Sequence, residues 1–201
     1  MARLTTEPRG SMVQLLVLTL AALFARTSGH ADVESPTPRR LGDAFHAACG
    51  DFVYGELTKD LANPIEGAAN RTDSGYHEKE CHLWFCRGAQ YEDNINNTRV
   101  YKPGDVVPFH VDIKAHHTGW ANVSVVDLQA QTPIARLFTW PVYANESLGP
   151  PDWPKNESDF SVTIPDLGTK CSQPNACAIQ WWWYSGFSNH QTYMNCVDFT
   201  Q

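Results

Sequence analysis

Residues 101–126 read YKPGDVVPFHVDIKAHHTGWANVSVV, and this stretch decides the fold. Lys102-Pro103-Gly104 is a turn signal, because proline presets φ and glycine accepts conformations closed to other residues. After it Phe109, Val111 and Ile113 alternate with His110, Asp112 and Lys114. Val123 and Val125 then alternate with Asn122 and Ser124. A period of two is that of a strand with one buried face. Working outward, Phe160, Val162 and Ile164 repeat the alternation, Ala178–Tyr184 is a dense aromatic run, and Gln191–Phe199 is a further strand candidate. Short strands separated by turn chemistry predict an all-β antiparallel sandwich. Residues 30–100 differ: Gly, Asn and Asp are scattered through them, and they read as long loops tied down by cysteines, with one helix expected around Leu41–Leu61. Asn145–Asn156 is a Pro-rich loop. There is no internal repeat.

The chain has 201 residues, enough for one ordinary domain and short for two. Hydrophobic residues make up 42%, which excludes wholesale disorder. The net charge of −7 argues against nucleic acid as a partner, since phosphate binding calls for a basic face. Met12–Phe24 is an apolar run interrupted by Gln14 and Thr19, preceded by Arg3 and Arg9 and followed by small residues. It is too short to span a bilayer, which takes about 20 apolar residues, and has the form of a secretory signal peptide. Cleavage after Gly29 leaves His30 first; cleavage after Ala31 satisfies the small-residue rule equally well and discards it. The expected organisation is a signal peptide over 1–29 and one domain over 30–201. Losing three Arg and one Glu with residues 1–29 takes the net charge from −7 to −9, which suits a neutral partner better than an anionic one.

Secretion implies an oxidising compartment, so Cys49, Cys81, Cys86, Cys171, Cys177 and Cys196 are expected as three disulfides rather than as a zinc cluster with His77 and His82. Six cysteines allow 15 pairings, and the sequence alone does not choose among them. Five sequons, at Asn70, Asn96, Asn122, Asn145 and Asn156, are glycosylation candidates that must lie at the surface if used.

Of the eight histidines, His110 falls on the polar face of its strand, whereas His116 and His117 follow a strand and can be exposed by a loop. His30, if it starts the mature chain, offers a ring nitrogen and an α-amine whose ordinary pKa of about 8 lets a divalent metal displace its proton. A second imidazole opposite completes three nitrogens in a T, a donor set that suits copper.

The start HADVESPTPRR at residue 30, Ala-Ala-Cys-Gly at 47–50, HHTGWANVSVVD at 116–127, CAIQWWWY at 177–184 and QTYMNCVDF at 191–199 together resemble a fungal lytic polysaccharide monooxygenase, closest to the group called auxiliary activity family sixteen. The resemblance spans nearly all of 30–201 and favours cleavage after Gly29. It implies an immunoglobulin-like or fibronectin-like sandwich holding one copper ion. His30 and His117 would be the ligands, with His116 a weaker rival for the second imidazole. Tyr193 would be the axial aromatic, its alternative being a core residue. Gln191, on the same strand face as Tyr193, would hydrogen-bond an oxygen species, its alternative being a solvated strand residue. The resemblance also implies pairing of Cys49 with Cys196, Cys81 with Cys86, and Cys171 with Cys177.

The activity implied is oxidative cleavage of a β-1,4-linked polysaccharide, cellulose before chitin, by hydroxylation at carbon 1 or carbon 4. It draws on an external electron donor and on hydrogen peroxide or dioxygen. The expected enzyme is a secreted monomer with no membrane or nucleic-acid partner. Trp181, Trp182 and Trp183 lie in succession on one strand, so they point to alternate faces and belong mostly to the core. Tyr54, Trp120 and Trp153, in expected loops, are the better candidates for polysaccharide contact. The chain ends after its last strand with no linker, second module or anchor tail, so the catalytic domain is expected to engage substrate itself. Rival readings are a non-catalytic cellulose- or chitin-binding module, a secreted copper-binding protein, and a glycoside hydrolase. The hydrolase is disfavoured because no carboxylate pair stands out.

Overall fold

The computed structural model describes residues 30–201; the expected signal peptide, 1–29, lies outside the described residues. The elements in chain order are β1 (His30–Ser35), α1 (Asp43–Lys59), α2 (Ile65–Ala69), α3 (Glu78–Cys81), β2 (Arg99–Val100), β3 (Val106–Ala115), β4 (Gly119–Asp127), β5 (Thr132–Tyr143), α4 (Lys155–Ser158), β6 (Asp159–Thr163), β7 (Cys177–Tyr184) and β8 (Thr192–Thr200). A three-stranded sheet in the order β1-β3-β6 faces a five-stranded sheet in the order β2-β8-β7-β4-β5. All pairings are antiparallel except that of β2 with β8. This is the expected sandwich.

The alternating residues meet between the sheets. Val33, Phe109, Val111 and Val162 from one sheet pack with Val123, Val125, Ile179, Trp181, Trp183, Tyr193, Val197 and Phe199 from the other. Of the three consecutive tryptophans, Trp181 and Trp183 are buried in that core, and Trp182 turns to the opposite face. β8 is buried on both faces. Its odd-numbered residues enter the sandwich, while Met194 meets a second core built from Phe45, Cys49, Val53, Leu57, Ile65 and Leu83.

The helical layer grows from α1, close to the expected Leu41–Leu61. Phe45, Cys49, Val53 and Leu57 recur every fourth residue and so form one buried stripe. The Asp93 carboxylate accepts the N–H groups of Ala44 and Phe45 at 2.9 Å each, supplying the cap that Gly42 lacks. Gly50 interrupts the helix at φ 80°, where a Cβ would lie 2.4 Å from Asp73 Oδ1. β1 and β2, within the stretch expected as loops, and β5 are not among the expected strands; for β5 the reason is visible. Pro133 and Pro141 disguise it, and its place at the edge of the sheet is where strand prolines are tolerated.

Two expected disulfides are corrected. Cys49 pairs with Cys81 and Cys86 with Cys196, while Cys171–Cys177 is as expected. The reason is local geometry. α3 lays Cys81 against α1, where it meets Cys49. His82 then takes the left-handed conformation, and the chain reverses through the Phe85 N–H to His82 carbonyl bond of 2.8 Å. The reversal points Cys86 away from Cys81 and toward β8, where Cys196 joins it beside Val126 and Ala178. Asn122 is also corrected as a surface sequon: it lies mid-strand in β4 and is 8% exposed. Asn70, Asn96 and Asn156 are exposed, and Asn145 is half-buried.

Candidate metal centre

Three segments carrying the expected site residues converge at one end of the sandwich. β1 pairs with β3 so that His30 lies across from Ala115. His117 follows Ala115 by two residues, in the turn that leads into β4. The antiparallel register therefore brings the backbone of His30 beside the turn that carries His117, although 87 positions separate the two in the chain. β8 begins at the same end, because Thr192 pairs with Tyr184 and Tyr184 with Trp120 at the start of β4. Side chains fasten β1 to β8: Asn195 Oδ1 accepts the Val33 N–H at 3.1 Å, and Asn195 Nδ2 donates to Asp32 at 2.8 Å. Burial raises the Asp32 carboxyl above its ordinary pKa, with the Asn195 bond opposing.

The turn holding His117 is shaped by its neighbours. A Cβ on Gly119 would lie 2.1 Å from the Tyr184 carbonyl oxygen, so only glycine lets β4 approach β7 there. Thr118 Oγ1 accepts the Glu146 N–H at 3.1 Å and binds the turn to the Pro-rich loop. His117 is buried, with its Nδ1 3.4 Å from Glu146 Oε2. His116 is occupied otherwise: its ring stacks on Trp153 at 3.8 Å. Burial and then the adjacent His117 hold the His116 pKa below its ordinary value. That stacking commits the His116 ring to Trp153, while the His117 ring is not part of it.

Tyr193 is fully buried and lies parallel to Trp183, with ring centroids 4.5 Å apart. It is thus a core aromatic whose hydroxyl reaches the rim, donating to Gln191 Oε1 at 2.7 Å. Burial, reinforced by the Glu66 carboxylate and opposed by Arg87, pushes the Tyr193 hydroxyl pKa far upward, so it stays protonated. Gln191 is half-buried rather than freely solvated. Asn189 donates to its Oε1, and its N–H donates to Ser185 Oγ at 3.2 Å.

Two residues that sequence reading missed adjoin these. Asp60, just past α1, places Oδ2 2.8 Å from His30 Nδ1. Burial works against its ionisation, but the Ala62 N–H and His30 outweigh it and hold the Asp60 pKa below the ordinary value. Arg87 is buried and donates to the backbone carbonyls of Leu61 and Asp60. Burial lowers its pKa to about 10, against the favourable charges of Asp32 and Asp60. Neither residue carries a motif; only the fold brings them to the site.

Of the expected contact aromatics, Trp153 is 37% and Trp120 40% exposed near this end. Tyr54 instead packs against His46 and Phe45 on the helical layer. Phe187, in the turn between β7 and β8, is 75% exposed and was not foreseen. Its only signal in the sequence is an aromatic between Gly186 and Ser188.

Among the described residues, no group of three or more His, Cys, Asp and Glu side chains gathers to hold a metal. A site made of two imidazoles and a backbone amine is of another kind; His30 at the start of β1 and His117 in the β3–β4 turn carry imidazoles, a donor type that suits copper.

A family model for lytic polysaccharide mono-oxygenases, described as cellulose-degrading, matches residues 48–199, and the chain belongs to this family. It is a copper-dependent oxidoreductase that degrades polysaccharide oxidatively, acting on insoluble substrate with an external reductant. Members of the family are typically secreted, and no helix among the described residues is long and apolar enough to cross a membrane. Comparison with curated proteins found no match. The family match begins after β1 and does not reach His30.

Proposed function

We propose that the mature chain begins at His30, after a signal peptide over 1–29, and that residues 30–201 form one catalytic domain of the auxiliary activity family sixteen type. His30, through its amine and ring, and His117, through its ring, hold one copper ion. The observation that carries this reading is the register of β1 on β3, which sets His30 opposite Ala115 and beside the turn of His117. Bound copper supplies the one-electron chemistry that lets an oxygen co-substrate attack an unactivated C–H bond.

The protein's own groups do the rest. His30 starts β1, and His117 lies in a short turn between two paired strands and tied to the Pro-rich loop through Thr118, which supports a preorganised ligand geometry. Tyr193, stacked on Trp183 and kept protonated, would present a neutral hydroxyl toward the bound ion. Gln191, oriented by Asn189 and Tyr193, offers its amide to the co-substrate oxygen. Trp153 and Trp120 present ring faces on which pyranose rings stack. The substrate is cellulose first and chitin next, hydroxylated at carbon 1 or carbon 4 so that the glycosidic bond breaks by elimination. With hydrogen peroxide, one of its oxygens becomes the hydroxyl and the other leaves as water; with dioxygen, the external donor adds two electrons, two protons are taken up, and the second oxygen again leaves as water. The protein is secreted, acts as a monomer, and carries glycans on its exposed sequons.

Intact mass and N-terminal sequencing of the secreted protein, with copper titration of wild type, His30→Ala and His117→Ala, test the reading. We expect His30 first, one copper per chain, loss of tight binding in both variants, and oxidised ends from cellulose only with reductant present. A chain starting at Asp32, or digestion unchanged by chelator, refutes it.

A further inference from the structure

We propose that Asp60 supplies a carboxylate oxygen to the copper held by His30, as a donor adjacent to the His30 ring. The inference rests on the reading of His30 as the N-terminal ligand. In that role the ring must bind through Nδ1, because only Nδ1 closes a small chelate ring with the amine on the same residue. Asp60 Oδ2 lies 2.8 Å from that very atom. Two donors each about 2.0 Å from one metal and at right angles to one another are about 2.8 Å apart. The nitrogen and oxygen thus already stand at the spacing of neighbouring corners of a tetragonal copper site. Metal entry requires loss of the proton that these two atoms share.

The carboxylate is also held in a way that leaves one oxygen for this task. Oδ1 accepts the Ala62 N–H at 3.0 Å and lies 3.8 Å from Lys114 Nζ on β3, so it is anchored from behind. The carbonyls of Asp60 and Leu61 are pinned by the buried Arg87 guanidinium, which fixes the backbone that carries the carboxylate. A surface carboxylate that merely paired with a histidine would need neither support. An anionic oxygen beside three neutral nitrogens favours the oxidised, doubly charged ion, so it also lowers the reduction potential of the site.

The test uses secreted protein whose N-terminus is shown to be His30. Wild type, Asp60→Asn, Asp60→Glu and His30→Ala are compared by copper(II) affinity and by the electron paramagnetic resonance spectrum of the copper(II) form. Copper-free thermal unfolding serves as a check on folding. Asp60→Asn keeps an acceptor for the Ala62 N–H and is expected to unfold at the wild-type temperature. Its copper(II) affinity is expected to fall by about 10- to 100-fold, with altered g and hyperfine values, while Asp60→Glu recovers part of both. If Asp60→Asn matches wild type in affinity and spectrum while His30→Ala loses copper, the Asp60 proposal fails and the His30 reading stands. An affinity loss with an unchanged spectrum overturns coordination in favour of mere orientation. If His30→Ala binds copper as wild type does, both readings fall.

Discussion

Glu157 shows how a single residue ties stability to pH away from the metal centre. Its carboxyl is 4% exposed and accepts the Ala144 N–H at 3.1 Å, while its backbone carbonyl accepts the Tyr143 hydroxyl at 2.7 Å. Burial raises its pKa above the ordinary 4.5. The folded state therefore holds this proton more tightly than the unfolded state does. The stabilisation is complete below pH 4.5 and is lost as pH rises through the folded pKa. Replacing Glu157 by Gln removes that dependence. Denaturant unfolding across this pH range should show the variant gaining on wild type as pH rises, and a constant difference would refute the assignment. The same scale explains why Tyr193 was legible only in part. The sequence offers a ligand-like tyrosine and a core tyrosine as alternatives, and the structure shows a buried ring whose hydroxyl donates to Gln191.

At the scale of elements, the cysteines divide the labour. The Cys86–Cys196 bridge joins residues 110 apart and ties the helical layer to β8, whereas Cys171–Cys177 closes a separation of 6. On the chain-entropy account, the long closure stabilises by about 4–5 kcal/mol and the short one by about 2 kcal/mol. The double replacement Cys86→Ala, Cys196→Ala should lower the unfolding free energy by about twice as much as Cys171→Ala, Cys177→Ala, measured by urea titration. Equal losses would show that the helical layer does not depend on its bridge. The pairing could not be read from the chain, because proximity in sequence favours Cys81 with Cys86, and the left-handed turn at His82 sends them apart. The strands were read correctly where one face was buried. β5 is hidden because edge prolines mask its alternation, and β1 and β2 because they are short strands in a stretch with scattered Gly, Asn and Asp.

For the whole molecule, copper binding and folding are linked. The proposed ligands come from the start of β1 and the β3–β4 turn, sites that are close only in the folded chain, so copper binds the folded state and not the unfolded one. Free copper at 100 times its dissociation constant should add about 2.7 kcal/mol, a rise of roughly 5–10 °C for a domain of this size. Calorimetry of copper-loaded and chelator-treated protein checks this. An unchanged unfolding temperature, with copper demonstrably bound, would mean that the ion does not bridge these segments.

The alternating strands of the sandwich and the burial of two of the three successive tryptophans are legible in the amino-acid sequence alone. These follow from periodicity, which is local chemistry repeated along the chain. Only the tertiary structure decided the cysteine partners, the withdrawal of Asn122 from solvent, the placing of His116 on Trp153, and the presence of Asp60 and Arg87 beside His30. Each of those depends on strand register and on where a turn sends the chain, and such contacts between distant residues leave no periodic trace in sequence.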